Sequence, residues 1–133
     1  MSVDDVLRHA IRQFGYAVWR HGDRYQIVDV LDGEEVERGL TGEEPTRWCE
    51  AFLEGKTGDV DATLARHRRE IADLKQKDPD APDQIDIDDT AQAYCAEHGI
   101  TSREFCRRLK ADDFISEMFL RARAHRINRL SKN

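Results

Sequence analysis

The chain has 133 residues, room for one domain or two very small ones around a modest core, and too few for most catalytic folds. Apolar residues make up 39% and charged residues 36%, so the chain is rich in surface and poor in core, which favours helices and small sheets. The formal net charge of −6 argues on its face against a simple nucleic-acid binder.

Asp4, Asp5, Arg8 and Arg12 interrupt the first twenty residues, and no apolar run exceeds the four residues Tyr16 to Trp19, so neither a signal peptide nor a membrane span is expected. Cys49, Cys95 and Cys106 are an odd, widely spaced set that does not read as a disulfide framework, and a reducing cytoplasm is the default. The chain contains no Gly-rich phosphate loop, no G-x-S-x-G, no H-E-x-x-H and no internal repeat. No base, nucleophile and orienting group can be assembled from it by inspection, so a non-enzymatic protein without cofactor is expected.

Val3, Val6, Leu7, Ala10, Ile11 and Phe14 recur at helical spacing behind Ser2 as a cap, with Asp5 three residues on and Gly15 suited to the C′ position. Tyr16 to Arg20 and Tyr25 to Leu31 are aromatic and β-branched, and His21-Gly22-Asp23-Arg24 between them predicts a β-hairpin. After Asp32-Gly33 a shorter strand follows around Val36 to Leu40, completing a three-stranded meander with its apolar face against the first helix. A second helix enters through Pro45, buries Trp48, Phe52 and Leu53, and ends at Gly55. Both Trp19 and Trp48 read as core of this N-terminal unit. From Asp59 to about Gln76, Val60, Leu64, His67, Ile71 and Leu74 form the stripe of a long amphipathic helix laid on its own protein. Lys77 to Gln84, with two prolines and three aspartates, reads as a linker.

The charge then changes sign. Residues 1–90 carry 12 Lys/Arg and 22 Asp/Glu, a net of −10, whereas residues 91–133 carry 9 and 5, a net of +4. The expected organisation is an acidic α+β unit with a long helix at 1–76, a Pro/Asp linker at 77–84, and a basic helical unit at 85–133. Within the last, Ile87, Ala91, Tyr94 and His98 share a helical face behind Asp88 or Asp89 as a cap, and Gly99 ends that helix. Thr101-Ser102-Arg103-Glu104 reads as a capping box opening the next helix, and a third follows from about Asp113. Phe114, Ile115, Met118, Phe119 and Ala122 form its core face; Arg121, Arg123, Arg126, Arg129 and Lys132 then make a basic tail.

Over Thr90 to Leu109 this pattern resembles the tri-helical helix-turn-helix DNA-binding superfamily. Gly99 and Ile100 stand at the turn, Ser102 soon after it, and Phe105 and Leu109 are the apolar anchors of the second helix. Cys95 departs from the alanine usual in the first helix, and Phe105 is bulkier than the usual β-branched residue. Independently of the resemblance, Arg103, Arg107 and Lys110 fall opposite the Phe105/Leu109 face of a helical wheel, with Arg108 to one side. Cations so placed suit base edges and phosphates.

The candidate DNA-binding set is therefore Ser102, Arg103, Arg107, Arg108, Lys110, Arg121, Arg123 and Arg126, with double-stranded DNA as partner and a homodimer on a two-fold site. The bland alternative is a solvated helix face, or one paired with the acidic half. Cys95, His98, Cys106 and His125 offer zinc-compatible side chains at spacing that matches no standard zinc pattern. Asp86, Asp88 and Asp89 read as caps and helix-dipole partners rather than a metal cluster. Two functions stay open: a small DNA-binding regulator of bacterial or phage origin, and a small acidic protein-interaction or inhibitor module. The second is of the phage anti-defence type, anti-CRISPR proteins included, with an acidic N-terminal unit that mimics DNA to a basic host protein.

Overall fold

The computed structural model describes residues 3–131. The fold is α+β, with elements α1 (Asp5–Arg12), β1 (Tyr16–His21), β2 (Arg24–Asp29), β3 (Glu35–Leu40), α2 (Glu44–Thr57), α3 (Val60–Lys77), α4 (Gln84–His98), α5 (Ser102–Arg108) and α6 (Asp112–Ser131). The strands form one antiparallel sheet in the order β1-β2-β3. Its first hairpin turns through Gly22-Asp23, where Gly22 takes the positive φ that a two-residue hairpin turn requires.

Helix starts follow local chemistry more closely than the apolar spacing alone suggests. Asp4 caps α1, its carboxylate accepting from the Val6 N–H; the expected cap, Ser2, lies outside the described residues. Pro45 falls in the first turn of α2, as expected, but the helix runs through Gly55 and stops three residues later at Gly58, which holds the left-handed conformation. Asp59 caps α3, its carboxylate accepting from the Ala62 N–H. The cap of α4 is Asp83, not Asp88 or Asp89. Asp83 accepts from the Asp86 N–H while Asp86 accepts from the Asp83 N–H, a reciprocal capping box that starts the helix five or six residues earlier.

β1 and β2 are buried on both faces while β3 is mostly exposed, and that explains their sequences. Along β1, Val18 points to a core built with Leu7, Ala10, Ile11, Ile27, Cys49 and Leu53, under α1 and α2. Its neighbours Ala17 and Trp19 point the other way, with Val28, to a second core made by Ala91, Tyr94 and Cys95 of α4, Phe105 of α5 and Met118 of α6. Consecutive apolar residues in β1 and β2 are therefore a strand signature here, since both pleat faces need them. Trp19 thus belongs to the core facing the C-terminal helices, while Trp48 stacks on Phe52 at 5.3 Å beside the other core. Gln92 of α4 reaches the edge of β1, its amide accepting from the Arg20 N–H and donating to the Arg20 carbonyl.

α6 is where expectation and structure part most. Met118 and Ala122 are buried and Phe114 is partly so, but Ile115 and Phe119 are 49% and 52% exposed. The tail is no free basic extension either: the helix continues to Ser131 and its Arg126 is only 2% exposed. No helix among the described residues is long and apolar enough to cross a membrane.

A candidate docking groove

The eight residues expected to contact DNA do not form one cationic face. Ser102, at the first turn of α5, is buried, and its hydroxyl donates to the Gly33 carbonyl at 2.6 Å. The β2–β3 turn therefore sits on the end of the helix that would have to enter a major groove. A Cβ on Gly33, which has φ +77°, would overlap the Ser102 carbonyl. Arg107 donates twice to Glu104, at 2.8 and 2.6 Å, and Arg108 donates to Glu104 and to the Tyr94 hydroxyl, both at 3.2 Å. Those hydrogen bonds, Arg107 first, hold the Glu104 carboxyl down to about 2. Glu104 is thus spent on arginines; Thr101 still accepts from its N–H at 3.2 Å, which is one half of the expected capping box.

On α6, Arg121 is held by Glu97 at 3.1 Å and Glu117 at 3.0 Å and lies over the Tyr94 ring. Arg126 donates to the Pro79 carbonyl, Asp83 and Asp86 at 2.8, 2.8 and 3.0 Å. It is a buried strut between the Pro/Asp segment, α4 and α6, because a guanidinium carries enough donors to satisfy two carboxylates and a carbonyl at once. Burial alone would raise both aspartates. It does hold Asp86 above the usual carboxylate range, whereas hydrogen bonds from Asp86 and the charge of Arg129 carry Asp83 below it. Arg103, Lys110 and Arg123 remain: all three are exposed and none forms an ion pair among the described residues.

The zinc-compatible residues do not converge. The Cys95 thiol faces the Thr101 carbonyl at 3.9 Å, His98 stacks on Tyr94 and bonds its carbonyl, Cys106 faces the Val30 carbonyl at 3.5 Å, and His125 lies 3.8 Å from Asp89. Among the described residues no group of three or more His, Cys, Asp or Glu is placed to hold a metal ion. Asp88 and Asp89, expected as caps, instead meet α1: Arg12 Nε donates to Asp88 Oδ1 at 3.0 Å and Arg8 to Asp89 Oδ1 at 2.9 Å.

What the helices leave between them is a groove of about 250 Å³. The sheet supplies its floor with Trp19, Val28 and Val30; α4 adds Ile87, Asp88 and Ala91; α5 adds Phe105, Cys106 and Leu109; α6 closes the outer side with Ile115, Met118 and Phe119. Arg12 completes it beside Asp88. Burial, then the charges of Asp32 and Asp29, push the Cys106 thiol above its usual range, so the groove's one thiol is a poor nucleophile at neutral pH. Phe119 and Ile115 stand at the rim, and Leu120, Ile127 and Leu130 continue an exposed apolar strip along α6. Arg123 lies one turn beyond Phe119 on α6, whereas Arg103 and Lys110 fall on the side of α5 and its exit away from the groove-lining Phe105 and Leu109, and Asp29 and Asp32 lie near Cys106.

Sequence reasoning found the cations and missed the groove. The signal was the width of the apolar arc on α6: residues 114, 115, 118, 119, 120, 127 and 130 span more of the wheel than a helix packed on one side can bury. Compared with known protein families, curated proteins and solved structures, the chain matches none.

Proposed function

We propose that this chain is a non-catalytic protein-binding module that receives an amphipathic helix of a partner protein in the groove beside α6. The observation that carries the reading is the continuity of the groove with the exposed Ile115 and Phe119, an open apolar surface on a chain otherwise rich in charge. A helix presents apolar anchors at i, i+3 or i+4, and i+7, the spacing such a groove reads. Arg123, exposed one turn from Phe119 and in no ion pair among the described residues, gives the partner its charge: an acidic residue flanking the anchors gains a cation with no such pair to break. Small size and charged surface fit an adaptor or inhibitor.

DNA binding is the outcome the test must separate. Its support is that Arg103, Arg107 and Lys110 do face solvent on and after α5; against it stand the seven-residue length of α5, the turn packed on its first residue and the commitment of Arg107 to Glu104. A displayed library of acidic amphipathic helices is selected against the wild-type chain, and a duplex of random sequence is titrated at low salt in parallel. The expected result is a set of helices that bind the wild type and lose at least about tenfold in affinity to Phe119→Asp, a loss of roughly one hot-spot side chain. Duplex binding abolished by the triple change Arg103→Ala, Arg107→Ala and Lys110→Ala, with no Phe119-dependent helix, overturns the proposal in favour of DNA.

A further inference from the structure

We infer that the helix docked beside α6 is α6 of a second copy of this chain, packed antiparallel about a two-fold axis level with the Glu117–Met118 peptide. The inference rests on the docking reading and names its partner. Asp112, Ile115, Ser116, Phe119, Leu120 and Arg123 are all exposed, and they share one arc of about 140° on the helical wheel. Ile115 and Phe119 hold the edge of that arc that lines the groove.

In a two-fold contact residue i of one chain meets residue j of the other and j meets i, so the surface must be its own complement. This arc is. Asp112 and Arg123 stand equally far from the Glu117–Met118 peptide, as do Ile115 and Leu120, and Ser116 and Phe119. One register therefore sets acid opposite base, aliphatic opposite aliphatic and the Phe119 ring opposite the small Ser116 side chain, each pairing made twice. Neither Asp112 nor Arg123 forms an ion pair with another described residue of its own chain, so the contact between chains breaks none. Other registers lose this match. With the axis at the Phe119–Leu120 peptide, Arg123 faces Ser116 and Asp112 faces Ile127; with the axis at Arg123, the two guanidinium groups meet. A two-fold axis also lays the same edge of the arc side by side in both copies, so Ile115 and Phe119 of one chain meet those of the other where the two grooves open. Three turns of helix on each side fall below the roughly 800 Å² per partner of a standard interface, so the association is weak and depends on concentration.

Sedimentation equilibrium of the full chain at low salt, from about 5 to 500 μM, is expected to show monomer passing to dimer, and Phe119→Asp is expected to stay monomeric throughout. Arg123→Asp and Asp112→Arg each set like charges opposite one another twice, and each is expected to weaken the dimer at least about tenfold. Mixed in equal amounts, these two variants restore both ion pairs in a heterodimer and are expected to recover the association of the wild type. The substituted side chains are exposed, so circular dichroism of every variant should match the wild type. Arg123→Asp that dimerises like the wild type, or a mixture that associates no better than its components, overturns the inference. A wild-type chain that is monomeric at the highest concentration overturns it as well. If that monomer still binds selected helices through Phe119, the docking reading stands and only its partner changes; if it binds none, the docking reading falls with the inference.

Discussion

The rings of Trp19 and Phe105 meet edge to face, their centroids 6.4 Å apart and their planes at 72°. One comes from β1 and the other from α5, on opposite sides of the Pro/Asp segment at 78–83 that contains no helix or strand. That contact joins the acidic and basic parts of the chain through a shared core. The ion pairs do the same at the periphery, since Arg8 and Arg12 of α1 hold Asp89 and Asp88 of α4. The charge reversal at residue 90 therefore does not describe two free surfaces. Across residue 90, Arg126 and Arg129 of α6 hold Asp83 and Asp86, so part of it is consumed where α6 meets the start of α4.

Phe105→Ala is expected to cost about 3–5 kcal/mol of stability, the usual range for removing a buried aromatic side chain. Because the ring bridges the sheet and α5, α4 and α6, the loss should lower the stability of both parts together. Urea unfolding followed by tryptophan fluorescence and by far-ultraviolet circular dichroism should give one coincident transition in wild type and variant. Two separated transitions in the wild type would show that the shared core does not couple them.

Arg126→Ala is expected to cost about 2–3 kcal/mol, because it removes the buried guanidinium that Asp83 and Asp86 share and leaves them only the less buried Arg129. Arg123→Ala, three residues earlier and exposed, should stay within about 0.5 kcal/mol of wild type. Chemical denaturation of the two variants side by side checks the pair. Equal effects would mean that Arg126 is not the strut its contacts describe.

These two arginines also show where sequence reasoning reaches its end. Periodicity, turn residues and caps predict the order of helices and strands, because each depends on neighbours within a few residues. Gly99 as a left-handed stop and Thr101 as a cap are read correctly for that reason. Arg123 and Arg126 are indistinguishable at that range. What separates them is a 43-residue return of the chain that brings Asp83 to Arg126, and no local pattern encodes it. The same holds for Ser102, whose partner Gly33 is 69 residues away, and for Ile115 and Phe119, left at a rim because the sheet and α5 fill the space behind them.

Gly33→Ala is expected to destabilise the protein more than Ser102→Ala. The alanine must hold φ near +77° and also push its Cβ into the α5 backbone at Ser102 and Arg103, so two independent penalties add. Ser102→Ala removes the hydroxyl donor and leaves the Gly33 carbonyl without it, a loss of about 1–3 kcal/mol. Thermal melts of both variants rank the two, and an alanine at 33 that melts with the wild type would mean the turn does not pack on α5.

The Asp88 carboxyl gives stability a pH dependence whose sign can be worked out. Burial raises it from 3.8 to about 6, so between those values the unfolded chain has released a proton that the folded chain still holds. A raised carboxyl contributes stability that is complete below the unfolded value and is lost as pH rises through the folded one. His9 and His67 act oppositely near pH 6, since burial lowers both and acidification favours their unfolded forms. Subtracting the profile of Asp88→Asn from that of the wild type cancels the histidines. The wild type is then expected to gain on the variant by about 2 kcal/mol as pH falls from 7 to 4, most of the free energy of a shift of about two units. Denaturant midpoints at half-unit steps of pH measure the difference. A difference that is flat across this window, or that grows with rising pH, would place the Asp88 carboxyl in a more solvated and better paired environment than its contact with Arg12 describes.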